Sequence, residues 1–169
     1  SCIHLPETHK LIQIMRYVID QTVPGTLLIS ETNVPHLENI SYFGQNDEEA
    51  SLVYKFPLPP LVLYTFIEAD TKKLSSWLKS LDETPLHQKN TYFNFLASHD
   101  GIGVRPIEGI LTEDDKKKMI DHVMDAGGRI SYKNNTDGTK SPYEMNISYV
   151  DAITSHTDDE LKVSKFIAS

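Results

Sequence analysis

Phe95-Leu-Ala-Ser-His-Asp-Gly-Ile-Gly-Val104 decides how the chain is read. It starts as an apolar run and ends in a His-Asp pair followed by two glycines. The run predicts a buried strand, and His99 and Asp100 fall where that strand gives way to a loop. In α/β folds the loops after strand carboxyl ends carry the chemistry. Thr26-Leu-Leu-Ile-Ser-Glu-Thr-Asn33 repeats the plan, a short apolar strand ending in the carboxylate of Glu31. Two strand-end carboxylates can share one active site if their strands lie in one barrel.

Outward from these two segments, helices and strands alternate. Pro6 and Glu7 open a helix whose apolar face is Leu11, Ile14, Met15, Val18 and Ile19, and Pro24-Gly25 stops it. Thr26 to Ser30 follows as a strand apolar on both faces, as in a parallel sheet covered by helices. Residues 33–49 lack periodicity and read as a functional loop excursion. Ala50 to Phe56 is the next strand, closed by Pro57, Pro59 and Pro60. Leu61 to Ala69 reads as helix, and a second helix capped by Asp70 or Thr71 carries Leu74, Trp77, Leu78 and Leu81 on one face. Tyr92 to Ala97 is the third strand. Thr112-Glu-Asp-Asp115 forms a capping box with Asp115 in the place of the usual Glu, ahead of a helix that ends at Gly127-Gly128. Residues 128–153 read as a second excursion, with a polar loop from Lys133 to Tyr143. A last helix is expected from Asp158 or Asp159 through Phe166. Strands alternating with helices predict an α/β fold with a parallel sheet. Three strands cannot close a barrel, so the chain reads as part of a larger one.

With 169 residues, 39% of them hydrophobic, the chain is long enough for one core. A formal net charge of −8 leaves no basic stripe to meet phosphates, which argues against a nucleic-acid partner. The run Lys116-Lys117-Lys118 follows three acids and reads as a solvated helix face. No apolar stretch approaches the roughly 20 residues of a membrane span, and no signal peptide is seen. Cys2 is the single cysteine, which fits a reducing, cytoplasmic setting. The opening Ser1-Cys-Ile-His, without a methionine, reads as a piece cut from a longer chain, and the sequons at Asn39, Asn134 and Asn146 then read as chance. The seven histidines are scattered without metal-ligand spacing, so no metal and no bound cofactor is expected.

Taken singly, each polar residue has a plain reading. Glu31 follows a buried run, where desolvation suits a general acid, or it simply accepts loop backbone donors. Asp100 precedes Gly101 as a turn residue would. His99 reads alone as a structural histidine.

Together, however, Leu28-Ile-Ser-Glu-Thr-Asn33 and Phe95-Leu-Ala-Ser-His-Asp100 resemble two segments of the alpha-amylase superfamily, glycoside hydrolase family 13. The first is similar to the end of barrel strand five, which carries the acid/base glutamate. The second is similar to the end of strand seven, which carries a sugar-binding histidine and a transition-state-stabilising aspartate. His99-Asp-Gly-Ile-Gly-Val104, with Ser98 where amylases usually carry Asn, resembles the sucrose phosphorylase branch more closely. So do Glu31 to Gly44 and Tyr143-Glu-Met-Asn-Ile-Ser-Tyr149, including loops of enzymes that act on glucosylglycerate.

The resemblance implies a partial (β/α)8 TIM barrel, parallel strands with helices and long catalytic-face loops. Residues 1–169 would run from about strand five through the helix after strand seven. It implies a retaining double displacement on an α-glucoside, with inorganic phosphate as co-substrate. Glu31 would be the acid/base, and Asp100 would bind sugar hydroxyls and offset positive charge near the anomeric carbon. His99 would orient the sugar, and Tyr143 and Glu144 would line the acceptor side. Arg105 would meet an acidic aglycone, unless it pairs with Glu108 at the surface. His36, Asn39 and Tyr42 read as loop contacts. The nucleophilic aspartate that the family requires would precede Ser1, so these residues alone are expected to show no turnover. Two other readings stay open: an amylase-family hydrolase or transglucosidase, and a non-catalytic sugar-binding or scaffold fragment. A homodimer through an open sheet edge is likewise left open.

Overall fold

A computed structural model describes residues 3–81, 90–155 and 164. In chain order the elements are α1 (Pro6–Thr22), β1 (Ile29–Ser30), α2 (His36–Ile40), β2 (Leu52–Tyr54), α3 (Leu58–Glu68), α4 (Lys72–Leu81), β3 (Thr91–Phe93), β4 (Ile102–Gly103), α5 (Glu113–Asp125), β5 (Arg129–Asn134), β6 (Lys140–Asn146) and α6 (Tyr149–Thr154). Short 3-10 turns occupy Ser41–Phe43 and Arg105–Ile107. These elements form two compact units, Ser1–Lys55 with Leu81–Asn94, and Phe56–Ser80 with Phe95–Ser169. The last expected helix, Asp158 or Asp159 through Phe166, lies outside the described residues apart from Ser164.

The first unit is an α/β layer. Its sheet runs β1-β2-β3, all parallel, with Ser30 beside Val53 and Val53 beside Tyr92. Tyr42, Phe43, Ala50 and Val53 form a buried cluster, and Ile12, Ile40 and Tyr92 pack against it. Residues 33–49 are therefore no loop excursion. They hold α2, the 3-10 turn and two aromatic anchors of the core. Asn39, only 2% exposed, ties this segment to the strands: its amide nitrogen donates to the Tyr54 carbonyl at 2.6 Å and its amide oxygen accepts from Thr32 Oγ1 at 3.1 Å.

Helix α1 turns a different face inward from the one its apolar spacing suggests. Leu11, Ile14, Met15 and Val18 are exposed, while Ile12 and Ile19 are half-buried and Arg16 is buried. The reason is polar. The Arg16 guanidinium donates to the Thr26 carbonyl at 2.9 Å and to Ser51 Oγ at 3.4 Å, and pairs with Asp20 at 2.5 Å. These bonds meet the two terminal nitrogens of the buried guanidinium, while its Nε has no hydrogen-bond partner, and they tie this face of the helix to Thr26 and Ser51. The first strand is shorter than expected, Ile29–Ser30 only, and Leu27 is exposed.

The deciding stretch also departs from its reading. The third strand ends at Phe93, and Phe95 to Ala97 join no sheet. Phe95 packs edge-on against Phe56, ring centroids 5.5 Å apart at 87°, within the second unit.

That second unit is built differently. Its sheet runs β4-β6-β5 and is antiparallel throughout, which corrects the expectation of parallel strands only. The second excursion, 128–153, is a β-hairpin followed by α6. Its turn is closed by Asn135 N–H to the Thr139 carbonyl at 2.8 Å, with Asp137 accepting from Thr139 and Gly138 at φ 84°. An Asp-Gly pair with positive φ at the glycine is a hairpin signal. Around it, Ile130 and Tyr132 alternate weakly, and Pro142 with a register shift at Ser131/Tyr132 breaks the period-two pattern.

Helix α3 begins on Pro59 and Pro60, which sit in its first turn where no amide donor is required. It buries Leu61, Leu63 and Tyr64 and contacts α5 and α6. Tyr149 of α6 donates its hydroxyl to the Pro59 carbonyl. Tyr64 donates to Asp115 Oδ1 at 2.6 Å. Asp115 completes the capping box at the start of α5: its backbone N–H donates to Thr112 Oγ1 at 3.2 Å, and its carboxylate accepts from the Thr112 N–H at 3.0 Å. The Tyr64 hydroxyl first, and Thr112 with it, holds the Asp115 carboxyl down at about 2. At the other end of α5, an added Cβ on Gly128 would stand 2.6 Å from Val123 Cγ1, so the chain closes onto the helix only with glycine there.

Thr112→Ala is expected to lower the unfolding free energy by about 1 kcal/mol in urea titrations at neutral pH. The Asp115 contribution has the sign of a lowered carboxyl. It is fully present above the unfolded value of 3.8 and is lost as pH falls through about 2. Tyr64→Phe removes part of it, so the stability gap between that variant and the wild type should narrow as the pH is lowered from 4 to about 2.

Candidate functional site

Glu31 follows directly on β1, at the carboxyl end of its strand. It is exposed within the first unit. Two residues on, Asn33 carries a buried amide oxygen with no hydrogen-bond partner. A buried polar atom left unmet is costly. His36 is half-buried at the start of α2, and burial, with the Lys55 ammonium second, holds its imidazole below the ordinary range. Asn39 and Tyr42 serve the core, as loop contacts were expected to.

The first unit also has an open cleft of about 490 Å³ whose walls include His9, Gln13, Glu48 and Glu49. None of the predicted site residues lines it. His9 Nδ1 lies 2.7 Å from Glu49 Oε2, Gln13 donates to Glu49 Oε1 at 3.1 Å, and His9 stacks on Tyr42 at 4.8 Å. These contacts satisfy a carboxylate that is 2% exposed.

Asp100 sits in a turn of the second unit. Its backbone N–H donates to Ser98 Oγ at 3.2 Å, so the serine side chain makes the turn and the aspartate carboxylate stays exposed. His99 Nε2 stands 3.6 Å from Asp100 Oδ1, with both side chains in solvent. Immediately after them the chain meets β6. Ile102 pairs with Met145 and Gly103 with Glu144. Gly101 approaches β6 closely: an added Cβ would lie 3.0 Å from Glu144 Cβ and 3.0 Å from the Met145 carbonyl, and 2.7 Å from Asn146 Oδ1, the free end of an exposed side chain.

This contact draws Glu144 toward Asp100. Glu144 is half-buried, and burial first, with the negative charge of Asp100 second, holds its carboxyl above the ordinary range. Tyr143 precedes it in β6, half-buried, and its carbonyl accepts from the Val104 N–H at 2.9 Å. Arg105 opens the 3-10 turn half-buried. Its backbone carbonyl accepts from the Glu108 N–H at 3.1 Å, but among the described residues the two side chains form no ion pair. The second unit thus brings together Asp100, Gly101, Glu144 and Asn146, with His99 beside them.

No family model matches the chain. Among curated proteins it is similar to the glucosylglycerate phosphorylase of Escherichia coli, 46% identical over 168 residues, which take in 99% of this chain and 30% of that protein. The glucosylglycerate phosphorylase of Spirochaeta thermophila is 50% identical over 169 residues, again 99% of this chain and 28% of its own length. Among solved structures, sucrose 6F-phosphate phosphorylase from Thermoanaerobacter thermosaccharolyticum superposes with a TM-score of 0.69 at 23% identity, over 89% of this chain and 29% of that one, and so shares its fold. The resemblance read from Glu31 and from His99-Asp100 is borne out: this chain is similar along nearly its whole length to the glucosylglycerate phosphorylases, and it spans about 30% of theirs.

Proposed function

We propose that the protein is a retaining α-glucoside phosphorylase that transfers glucose from a glucosylglycerate-type donor to inorganic phosphate. The observation that carries the reading is 46–50% identity to glucosylglycerate phosphorylases over 99% of the chain, a span that includes both carboxylate segments. On this reading residues 1–169 are a section of a (β/α)8 barrel, from about strand five through the helix after strand seven. The single cysteine agrees with a cytoplasmic enzyme, and no described helix is long and apolar enough to cross a membrane.

A retaining transfer uses two carboxyl groups about 5–5.5 Å apart and passes through a covalent glucosyl-enzyme. Glu31 protonates the glycosidic oxygen as the glycerate leaves, then takes the proton of the incoming phosphate. The nucleophile is a further aspartate, which the resemblance places on the preceding barrel strand. Asp100 accepts hydroxyl hydrogen bonds from glucose and stabilises the oxocarbenium-like charge, and its exposed carboxylate is available for that task. His99 donates to a glucose hydroxyl.

The leaving group is a carboxylic acid, which calls for a cation. Arg105 suits that need, because its guanidinium is not engaged by Glu108 and can present two parallel donors to a carboxylate or a phosphate. Tyr143 and Glu144 face the acceptor.

The intact protein that carries this sequence, incubated with α-glucosylglycerate and phosphate, should release α-glucose 1-phosphate. Glucose released at the same rate without phosphate would instead make it a hydrolase, and transfer to a second sugar a transglucosidase. Glu31→Gln should lower kcat by about 10²- to 10⁴-fold, and Asp100→Asn by about 10²- to 10³-fold. Arg105→Ala should weaken activity on acidic glucosides much more than on neutral ones, and an equal loss on both would remove Arg105 from acceptor recognition.

A further inference from the structure

Glu31 follows the last residue of β1, and the pairing of β1 with β2 ends with Ser30 beside Val53. Continued by one residue, that register would set Glu31 opposite Tyr54. The Glu31 side chain is exposed, so its aim rests on the main chain to either side of it. On one side the ladder fixes Ser30. On the other, past the end of the ladder, a buried amide takes over. Asn39 Nδ2 donates to the Tyr54 carbonyl at 2.6 Å, and Thr32 Oγ1 donates to Asn39 Oδ1 at 3.1 Å. Chemistry fixes the orientation of that amide: the Tyr54 carbonyl only accepts, so the nitrogen faces Tyr54 and the oxygen faces the Thr32 hydroxyl. Because Asn39 is buried, neither end can let go without leaving a polar atom unmet. The residue after Glu31 is therefore bonded, through one planar group, to the end of the neighbouring strand. Its carbonyl accepts in turn from the N–H of buried Val34 at 3.0 Å, which closes the chain tightly behind it.

We propose that Asn39 is a positioning residue, which through Thr32 holds the main chain at Glu31 so that its carboxyl meets the glycosidic oxygen. The catalytic part of this proposal rests on the phosphorylase reading, and the clamp Thr32–Asn39–Tyr54 does not. Cleavage of a glucoside needs the Glu31 proton delivered to the glycosidic oxygen as the bond from that oxygen to the anomeric carbon breaks, and such a transfer tolerates little error in distance. Fluoride leaves the same carbon as the anion and takes no proton. Loosening the clamp thus harms one donor and spares the other, whereas a general loss of structure harms both.

Two measurements on the intact protein test this. The first needs no activity. Thr32→Val keeps the shape of the side chain and removes its hydroxyl. In hydrogen–deuterium exchange read by mass spectrometry, the Val34 amide should exchange about 10-fold faster in this variant, with β3 unchanged. Unaltered exchange at Val34, or exchange that rises equally across β1, β2 and β3, overturns the clamp.

The second is kinetic. Thr32→Val and Asn39→Ala should each lower kcat/KM for phosphorolysis of α-glucosylglycerate by about 10- to 100-fold. They should leave kcat/KM for fluoride release from α-glucosyl fluoride close to that of the wild type. Thr32→Ser, which keeps the hydroxyl, should retain activity on both donors. In a Glu31→Gln background Thr32→Val should bring no further loss on glucosylglycerate, since both changes act on the same proton transfer. Equal losses on the two donors, or no loss on either, contradict the positioning role. If Asn39→Ala does not fold, Thr32→Val carries both measurements. Faster exchange at Val34 in a protein that releases no glucose 1-phosphate would leave the clamp standing and overturn the phosphorylase reading, and the catalytic role with it.

Discussion

The missing Cβ of Gly101 is the constraint on which the second unit's site depends. Without a side chain there, the backbone just after Asp100 can lie against Glu144, Met145 and Asn146 of β6 at distances near 3 Å. A Cβ there would press on Glu144 Cβ and on the Met145 carbonyl at 3.0 Å, so those neighbours would have to give by a few tenths of an ångström. Beside that contact β4 pairs with β6, the Asp100 charge reaches Glu144, and the Tyr143 carbonyl accepts from the Val104 N–H.

The two units meet their polar demands by different means. In the first, buried polar groups act beside the apolar cluster of Tyr42, Phe43, Ala50 and Val53. Arg16 ties α1 to the Thr26 carbonyl and the Ser51 hydroxyl, and Asn39 ties α2 to the end of β2. In the second, a tyrosine on α3 and the capping box of α5 share one carboxylate, so the docking of two helices and the start of one of them rest on Asp115. Removing one partner of such a bond costs more than the bond contributes, since the other is left buried and unmet.

Much of this was legible in the sequence where the signal is local. The capping box at Thr112, the stop at Gly127-Gly128, the prolines at the head of α3 and the order of helix and parallel strand all follow from residues within one turn of each other. What was not legible depends on distant partners. The apolar stripe of α1 was legible, but the burial of Arg16 on another face was not, because it depends on Thr26 and Ser51. The excursion at 33–49 hides its structure because its core residues, Tyr42 and Phe43, are aromatics without periodic neighbours. The hairpin at 129–146 was read as a loop because Pro142 and a register shift break its alternation. In the candidate site, Asp100 and Glu144 were named from resemblance, whereas the close approach of Gly101 to β6 emerges only from cross-strand register.

The central claim is that Glu31 acts as acid and base in a transfer that retains configuration. It is tested most directly by chemical rescue in the intact protein. With α-glucosyl fluoride as donor, the leaving fluoride needs no acid, so a Glu31→Ala enzyme should form its glucosyl-enzyme and stall for want of a base. Added azide, which needs no base, should restore turnover and yield α-glucosyl azide. Absence of rescue, or a product of β configuration, would contradict the account.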